Sequence, residues 1–354
     1  MIPRLWRTVF CQSAKLTGLF ALCRWLYRHR QLILCYHAFS FDDEHRFRPQ
    51  QFIRPKLFAD RLARLSRLGY RAIPLVEALR RTQTATAELK DFVITIDDGF
   101  SSVHRFALPE LRRDHWPATL YLTTYYVKSP QPVFGLALAY LLWKSGLESI
   151  DLDLTAWGWA ARRHLSLDDR NASRVIDDFV AEVKACLDEP RREDFLSFLA
   201  TTIGLKPEDW SVDHRFCLIT PLAAQELMAG GIDLQLHTHR HRFPPAANSI
   251  LREIEDNREV LRALGVTAAA HLCYPSGEWH PDAFPTLMAC GVESATTCLP
   301  GLNGHDTHPL ALYRFLDADD ITTVEFEAEI SGFKQLLRDI QARIRPEPRS
   351  TNAV

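Results

Sequence analysis

The sequence is short of the features that most quickly assign a class. None of its eight cysteines (Cys11, Cys23, Cys35, Cys186, Cys217, Cys273, Cys290, Cys298) falls in a CxxC spacing, so neither a zinc ribbon nor a redox motif is indicated. Several sit in apolar segments, where a free Cys behaves as a small hydrophobe, and their usage points to a reducing compartment. Neither sign of charge dominates. The 42 basic and 44 acidic residues give no bulk argument for nucleic acid or an anionic membrane as partner. Repeats and low-complexity tracts are missing. No apolar run approaches the roughly 20 residues of a membrane span. The longest, Leu16 to Cys23, is broken by Thr17 and Gly18 and flanked by Lys15 and Arg24. It is not followed by a clear small-residue cleavage site, so no secretory signal is expected. The expected location is the cytoplasm, with residues 1–30 as a basic amphipathic helical segment. That segment either packs on the domain as an ordinary helix or lies peripherally on the inner membrane.

What is present suits one large domain or two ordinary ones: 354 residues, 47% hydrophobic. Short apolar runs with β character alternate with helical spacing. Strands are expected at 31–36, 70–74, around 92–96, at 118–122, 232–236, 269–274 and 293–297, with helices between them. This rhythm implies parallel βα units. It fails between 129 and 216, where helical apolar spacing continues (Phe134, Leu138, Leu141; later Ile176, Phe179, Val183) with little β signal. The segment is expected to be a mostly helical insertion, a lid or substrate-facing wall. The closing helix runs through Phe326, Ile330, Phe333, Leu337 and Ile340, and 345–354 reads as a frayed tail.

Two polar clusters end two of these strands. Thr95-Ile96-Asp97-Asp98-Gly99-Phe100 places adjacent carboxylates at the mouth of a buried strand, which is costly unless a metal or shared proton compensates them. Taken alone, the pair reads first as a turn former and helix N-cap. About 140 residues on, His237-Thr238-His239-Arg240-His241 follows another strand. Three imidazoles in five residues suit a divalent metal, zinc above all, with carboxylate as a compatible ligand; a surface His/Arg cluster is the plain alternative. Both clusters fall at C-terminal strand ends, where parallel βα folds carry their active sites.

These motifs resemble those of the polysaccharide deacetylases of the NodB-homology type, carbohydrate esterase family 4. Thr95-Ile96-Asp97-Asp98-Gly99 is similar to the family's first motif, His237-Thr238-x-x-His241 to its second and Tyr274-Pro275-x-Gly277 to its third. Tyr36-His37 and the block Phe58–Leu79 look like the N-terminal region of members tied to surface-polysaccharide synthesis. The resemblance covers roughly 30–125 and 215–335. It implies a distorted (β/α)7-type α/β barrel over 31–128 and 217–344, interrupted by the 129–216 insertion.

The resemblance also implies roles. Asp98, His237 and His241 would hold a divalent metal, most readily Zn2+, and Asp97 would be the general base. A backbone N–H near Tyr274 and Pro275 would stabilise the oxyanion. His239 falls at a variable position of the motif. Two departures stand out. His271 occupies the place where the third motif often carries a base-orienting Arg, for which Arg314 in Leu312-Tyr313-Arg314-Phe315 is the substitute. The fifth motif's acid has no clean match, and His308 (or His305) in the loop 301–308 is the candidate. The expected activity is metal-dependent N-deacetylation of an N-acetylated sugar in a glycan or glycolipid. The alternatives are a catalytically degenerate glycan-binding or biosynthesis-partner protein, and a hydrolase of a small amide on the same scaffold.

Overall fold

The computed structural model describes residues 4–128, 131–168, 171–206 and 210–344; the expected tail lies outside them. Eight strands form one sheet: β1 (Leu32–Tyr36), β2 (Arg71–Ala72), β3 (Asp91–Ile96), β4 (Ala118–Leu122), β5 (Ile232–Leu236), β6 (His271–Cys273), β7 (Ser294–Thr296) and β8 (Phe315–Leu316). Seven run in the order β7-β6-β5-β4-β3-β1-β8, and β2 pairs with β3 beside this path. All these pairings are parallel. β1, β3 and β4 are buried along their whole length, as expected of strands covered on both faces.

The sheet curls. Leu312 bridges Thr296 of β7, while Phe315 and Leu316 pair with Leu34 and Cys35 of β1, so the segment 312–316 links β7 to β1. This is the distorted (β/α)7 barrel expected from the sequence. β8 was not expected: two residues carry no periodicity, and the element exists through its tertiary partners.

The insertion is less purely helical than expected. Its helices Phe134–Lys144, Ala172–Cys186 and Arg192–Thr202 pack around Phe179, Phe195, Leu199 and Trp210. An antiparallel ribbon, Ser149–Leu152 with Arg163–Ser166, joins them. Each ribbon strand buries only alternate or single apolar positions, too weak a signal to compete with the helical pattern around it. None of the described insertion residues lines the central cleft. They brace the loop that does: Tyr140 donates to Asp43 (2.8 Å), and Arg48 pairs with Asp177 (3.1 Å).

The N-terminal segment is two helices, Arg4–Leu16 and Leu19–Leu26, broken at Gly18, whose φ of 80° is left-handed. Cys11, Ala14, Phe20 and Cys23 pack on Val324, Ala328 and Phe333 of the C-terminal helices. The segment therefore does dock on the domain.

One buried ion pair fastens the outer helix Pro55–Arg67 to the end of β8. Arg61 Nε donates to Asp317 Oδ2 at 3.1 Å and Nη2 to the Ile321 carbonyl at 2.7 Å. Its guanidinium lies 4.3 Å from the Phe326 ring centroid. Tyr36 Oη donates to the same carboxylate at 3.2 Å. Burial pushes the Asp317 carboxyl up to about 6, against the pull of Arg61 and Tyr36. Arg61→Ala removes the partner and leaves the carboxyl buried, so it is expected to lower stability by about 3–5 kcal/mol. Urea denaturation at neutral pH measures this; a loss below about 1 kcal/mol, the usual size for a surface pair, would refute the assignment.

Candidate active site

The Asp pair sits where β3 ends, and its turn is backbone-driven. Asp97 N–H still donates to the Tyr36 carbonyl (2.9 Å), continuing the sheet. Asp98 then turns left-handed at φ 68°, followed by Gly99 at 91°. A Cβ on Gly99 would fall 2.2 Å from Leu122 Cδ1, so the close approach of β4 requires glycine. The turn sends the two carboxylates to different partners.

Asp97 is held in place by donors from two strands and from the residue before β8. Arg314 donates Nη1 to Oδ1 (2.7 Å) and Nη2 to Oδ2 (2.8 Å), and both side chains are almost wholly buried. Arg314 is itself fixed by Nε to the Thr297 carbonyl (2.9 Å) and Nη1 to Thr95 Oγ1 (3.2 Å). Cys35 and Cys273 donate their thiols to Oδ2 at 3.4 and 3.3 Å. Burial pushes both thiols well up, so they are neutral donors. Burial also pushes the Asp97 carboxyl up, but Arg314 outweighs it and holds the group well below the usual carboxylate range.

Asp98 faces the histidines instead. His237 Nε2 lies 3.1 Å and His241 Nε2 3.0 Å from the same oxygen, Oδ1. Burial would raise this carboxyl too; the two imidazoles pull it well down. His237 follows β5. Its N–H donates to Asn257 Oδ1 (3.0 Å), and Asn257 Nδ2 donates in turn to Thr124 Oγ1 (2.9 Å) and the Leu122 carbonyl (3.1 Å). The loop after it is latched to the helix Ala247–Leu264, where Glu253 accepts from Arg240 N–H (2.8 Å) and Arg242 Nε (3.1 Å).

The donor set fits a metal ion, on the following ground. His237 Nδ1 lies 2.8 Å from the Cys273 carbonyl, which can only accept, so Nδ1 carries the proton. With only that proton, the ring turns an Nε2 lone pair toward an ionised carboxylate oxygen. That contact repels unless a proton or cation lies between them. Candidate ligand atoms of Asp98, His237 and His241 all lie within 4.8 Å of one another, an N2O set suited to zinc.

Among the described residues, four of the eight non-glycine residues with positive φ stand around this point: Asp98, Thr238, His241 and Ser276. Such strain concentrates at functional sites. The cleft above them encloses about 500 Å³ and opens to solvent. Its lining includes His37, Arg48, Gln50, Gln51, Tyr274 and Cys298.

The remaining expected residues divide. Tyr274 lines the cleft, but its Oη donates to the Leu310 carbonyl (2.9 Å) and its N–H to Thr296 (3.1 Å). Pro275 has no N–H, so an oxyanion donor from this stretch must come from further on, where Ser276 lines the cleft. His239 turns away, with Nδ1 at 2.9 Å from Thr124 Oγ1. His271 lies at the other end of β6, bonded to Ser294 (2.9 Å). His308 is not brought to the cleft. Its ring stacks on Phe284 (4.5 Å), its Nδ1 accepts from Leu310 N–H, and it lines a separate cavity with Tyr27 and Arg30. His305 is exposed on the same loop. The acid expectation at His308 therefore fails on position.

The imidazole that faces the cleft beside His237 and His241 is His37, one residue beyond β1. Tyr36 pairs with Ile96 across the sheet, which sets His37 opposite Asp97; its Nε2 is 3.7 Å from Asp97 Oδ2. The sequence signal was a polar residue directly after a buried strand, the same signal that marked Asp97 and His237.

No protein-family model matches the sequence, and no curated protein matches it significantly. Solved structures do. The Streptococcus pyogenes deacetylase PplD, in complex with acetate, aligns at TM-score 0.55 and 16% identity over 85% of this chain and 98% of its own. A de-N-acetylase from Aggregatibacter actinomycetemcomitans aligns at 0.53 and 13%, over 84% and 98%. BC0361, a polysaccharide deacetylase from Bacillus cereus, aligns at 0.51 and 15%, over 86% and 70%. At such identities the likeness is one of architecture: the chain has the polysaccharide-deacetylase fold.

Proposed function

We propose that the chain belongs to the polysaccharide deacetylases and is a metal-dependent N-deacetylase acting on an N-acetylated sugar of a glycan or glycolipid. The observation that carries this reading is the convergence of Asp98, His237 and His241 on one point, with Asp97 beside them on a separate anchor. The fold shared with deacetylases supports it. The open cleft favours a sugar over a small enclosed amide. The degenerate-binder alternative rested on a missing Arg and a missing acid, and the Asp97–Arg314 pair and the position of His37 speak against both.

A divalent cation at Asp98, His237 and His241 would polarise the acetamide carbonyl and acidify the attacking water. Asp97, ionised and fixed by Arg314, accepts the water proton. The hydroxyl adds to the acetyl carbon, the C–N bond breaks, and His37 gives a proton to the departing amine, leaving acetate and a free amino sugar. Arg48, Gln50 and Gln51 supply polar contacts for sugar hydroxyls at the rim.

Acetate release from N-acetylglucosamine oligomers is expected to stop on chelation and return with Zn2+. Asp98→Ala and His237→Ala should lose metal in equilibrium dialysis, with at least about a 100-fold drop in activity, while His239→Ala should keep both. Activity that survives in metal-free protein would sink the proposal. Arg314→Gln removes the chief opposition to burial at Asp97 and leaves only the weaker pull of His37 and His237, so its carboxyl should rise and the base become protonated at higher pH. The acid limb of kcat/KM should therefore move upward in pH, with a fall of about 10²–10⁴-fold at neutral pH. An unmoved limb in folded Arg314→Gln protein would remove Arg314 from the mechanism. His37→Ala should cost a similar factor on sugar amides while leaving zinc binding intact.

A further inference from the structure

The geometry points to a second surface: we propose that the N-terminal helix pair lies flat on an anionic phospholipid bilayer. Docking on the domain uses only one side of the pair. The other side leaves Trp6, Leu16, Leu22, Trp25 and Leu26 in solvent, with Leu16 78%, Trp6 65% and Trp25 61% exposed, and Phe10 is half-exposed at its border, with its ring 5.6 Å from Phe333. Of the eighteen large apolar residues exposed among the described residues, seven fall between positions 6 and 26. Scattered exposed apolar residues need no explanation, but a concentration of this kind does.

The charge on this surface selects the partner. Residues 1–30 contain six basic residues and no Asp or Glu; the first acidic residue of the chain is Asp42. Arg7 and Lys15 are used in docking, on Glu325 (3.1 Å) and Glu327 (2.5 Å), and Arg30 pairs with Asp306. Arg24 and Arg28 have no ion pair among the described residues. The Arg28 guanidinium sits 4.8 Å from the Trp25 ring, so an aromatic ring and a cation share one point of the outer face. Exposed tryptophans beside unpaired arginines match the boundary between acyl chains and acidic headgroups. A span is ruled out by length: the helices have 13 and 8 residues, about 20 and 12 Å at 1.5 Å per residue. No helix among the described residues is long and apolar enough to cross a membrane. The chain leaves the pair at the N-terminal end of β1, whereas the cleft lies at the other end. Lipid on the helix pair therefore leaves the cleft accessible, and this proposal stands apart from the catalytic one.

The test is flotation of the full chain with phosphatidylcholine vesicles, with and without phosphatidylglycerol, at low and high salt. Binding is expected only with phosphatidylglycerol, and it should weaken with salt. The doubly substituted Arg24→Gln, Arg28→Gln protein loses no ion pair among the described residues. It should bind about thirtyfold more weakly, at about fivefold per charge near the surface. Trp6→Ala with Trp25→Ala should abolish flotation while zinc content and melting temperature stay unchanged. Equal binding to both vesicle types, no binding to either, or flotation unchanged in both variants would overturn the proposal. So would a dimer in light scattering that the tryptophan variant disperses, because the face would then be covered by a second copy.

Discussion

The bidentate contact between Arg314 and Asp97 is the interaction on which the rest of the structure depends. Arg314 lies in the segment that closes the barrel, between Leu312, which bridges β7, and Phe315, which pairs with β1. Its guanidinium crosses the interior to the end of β3, and thiols from β1 and β6 reach the same carboxylate. A buried charge of this kind is destabilising without its partner. The orientation of the proposed base and the closure of the barrel are thus one interaction. This explains why an arginine from the last strand can serve where the third motif offers only His271. That histidine sits three residues before Tyr274, at the far end of β6, and cannot reach the mouth.

The backbone around the cleft is organised at a cost. Left-handed conformations at Asp98, Thr238, His241 and Ser276 are each unfavourable by about 1–3 kcal/mol and persist only where their surroundings fix them. Here the surroundings can be named. Thr123 N–H donates to the Asp98 carbonyl (3.1 Å), Arg242 N–H to Thr238 Oγ1 (3.2 Å) and Gly277 N–H to the Tyr274 carbonyl (3.2 Å). The latch of Glu253 on Arg240 and Arg242 holds the whole histidine loop.

Legibility in the sequence followed locality. β4 and β5 fall at the residues expected from their apolar runs, because buried parallel strands state their own boundaries. Asp97, Asp98, His237 and His241 were legible for the same reason: each belongs to a short motif attached to such a strand. What depended on distant pairing was harder. β8 and the 149–166 ribbon carry almost no local signal. Arg314 was reachable only as a substitute for something missing. His37 was visible as a residue but not as a member of the site, since its relation to Asp97 comes from the register of β1 against β3. His308 failed because nothing in a loop sequence says which cavity the loop will line; here stacking on Phe284 decides it.

The adjacent aspartates show how one local feature yields two chemistries. Burial acts on both carboxylates in the same direction, raising each. The difference lies in what faces them, and that follows from a single φ of 68° at Asp98. Without that turn, the alternation of side chains along an extended strand would send one carboxylate inward and the other to the opposite face. With it, both point into one cleft, Asp97 against a fixed guanidinium and Asp98 against two imidazoles that can share an ion with it. The guanidinium cannot give up its charge, so it holds Asp97 anionic until a proton is delivered to it. An imidazole nitrogen can offer a lone pair, so the Asp98 side is where a cation can enter. A turn signal and a catalytic motif are therefore not competing readings of Asp97-Asp98-Gly99, since the turn is what separates the two roles.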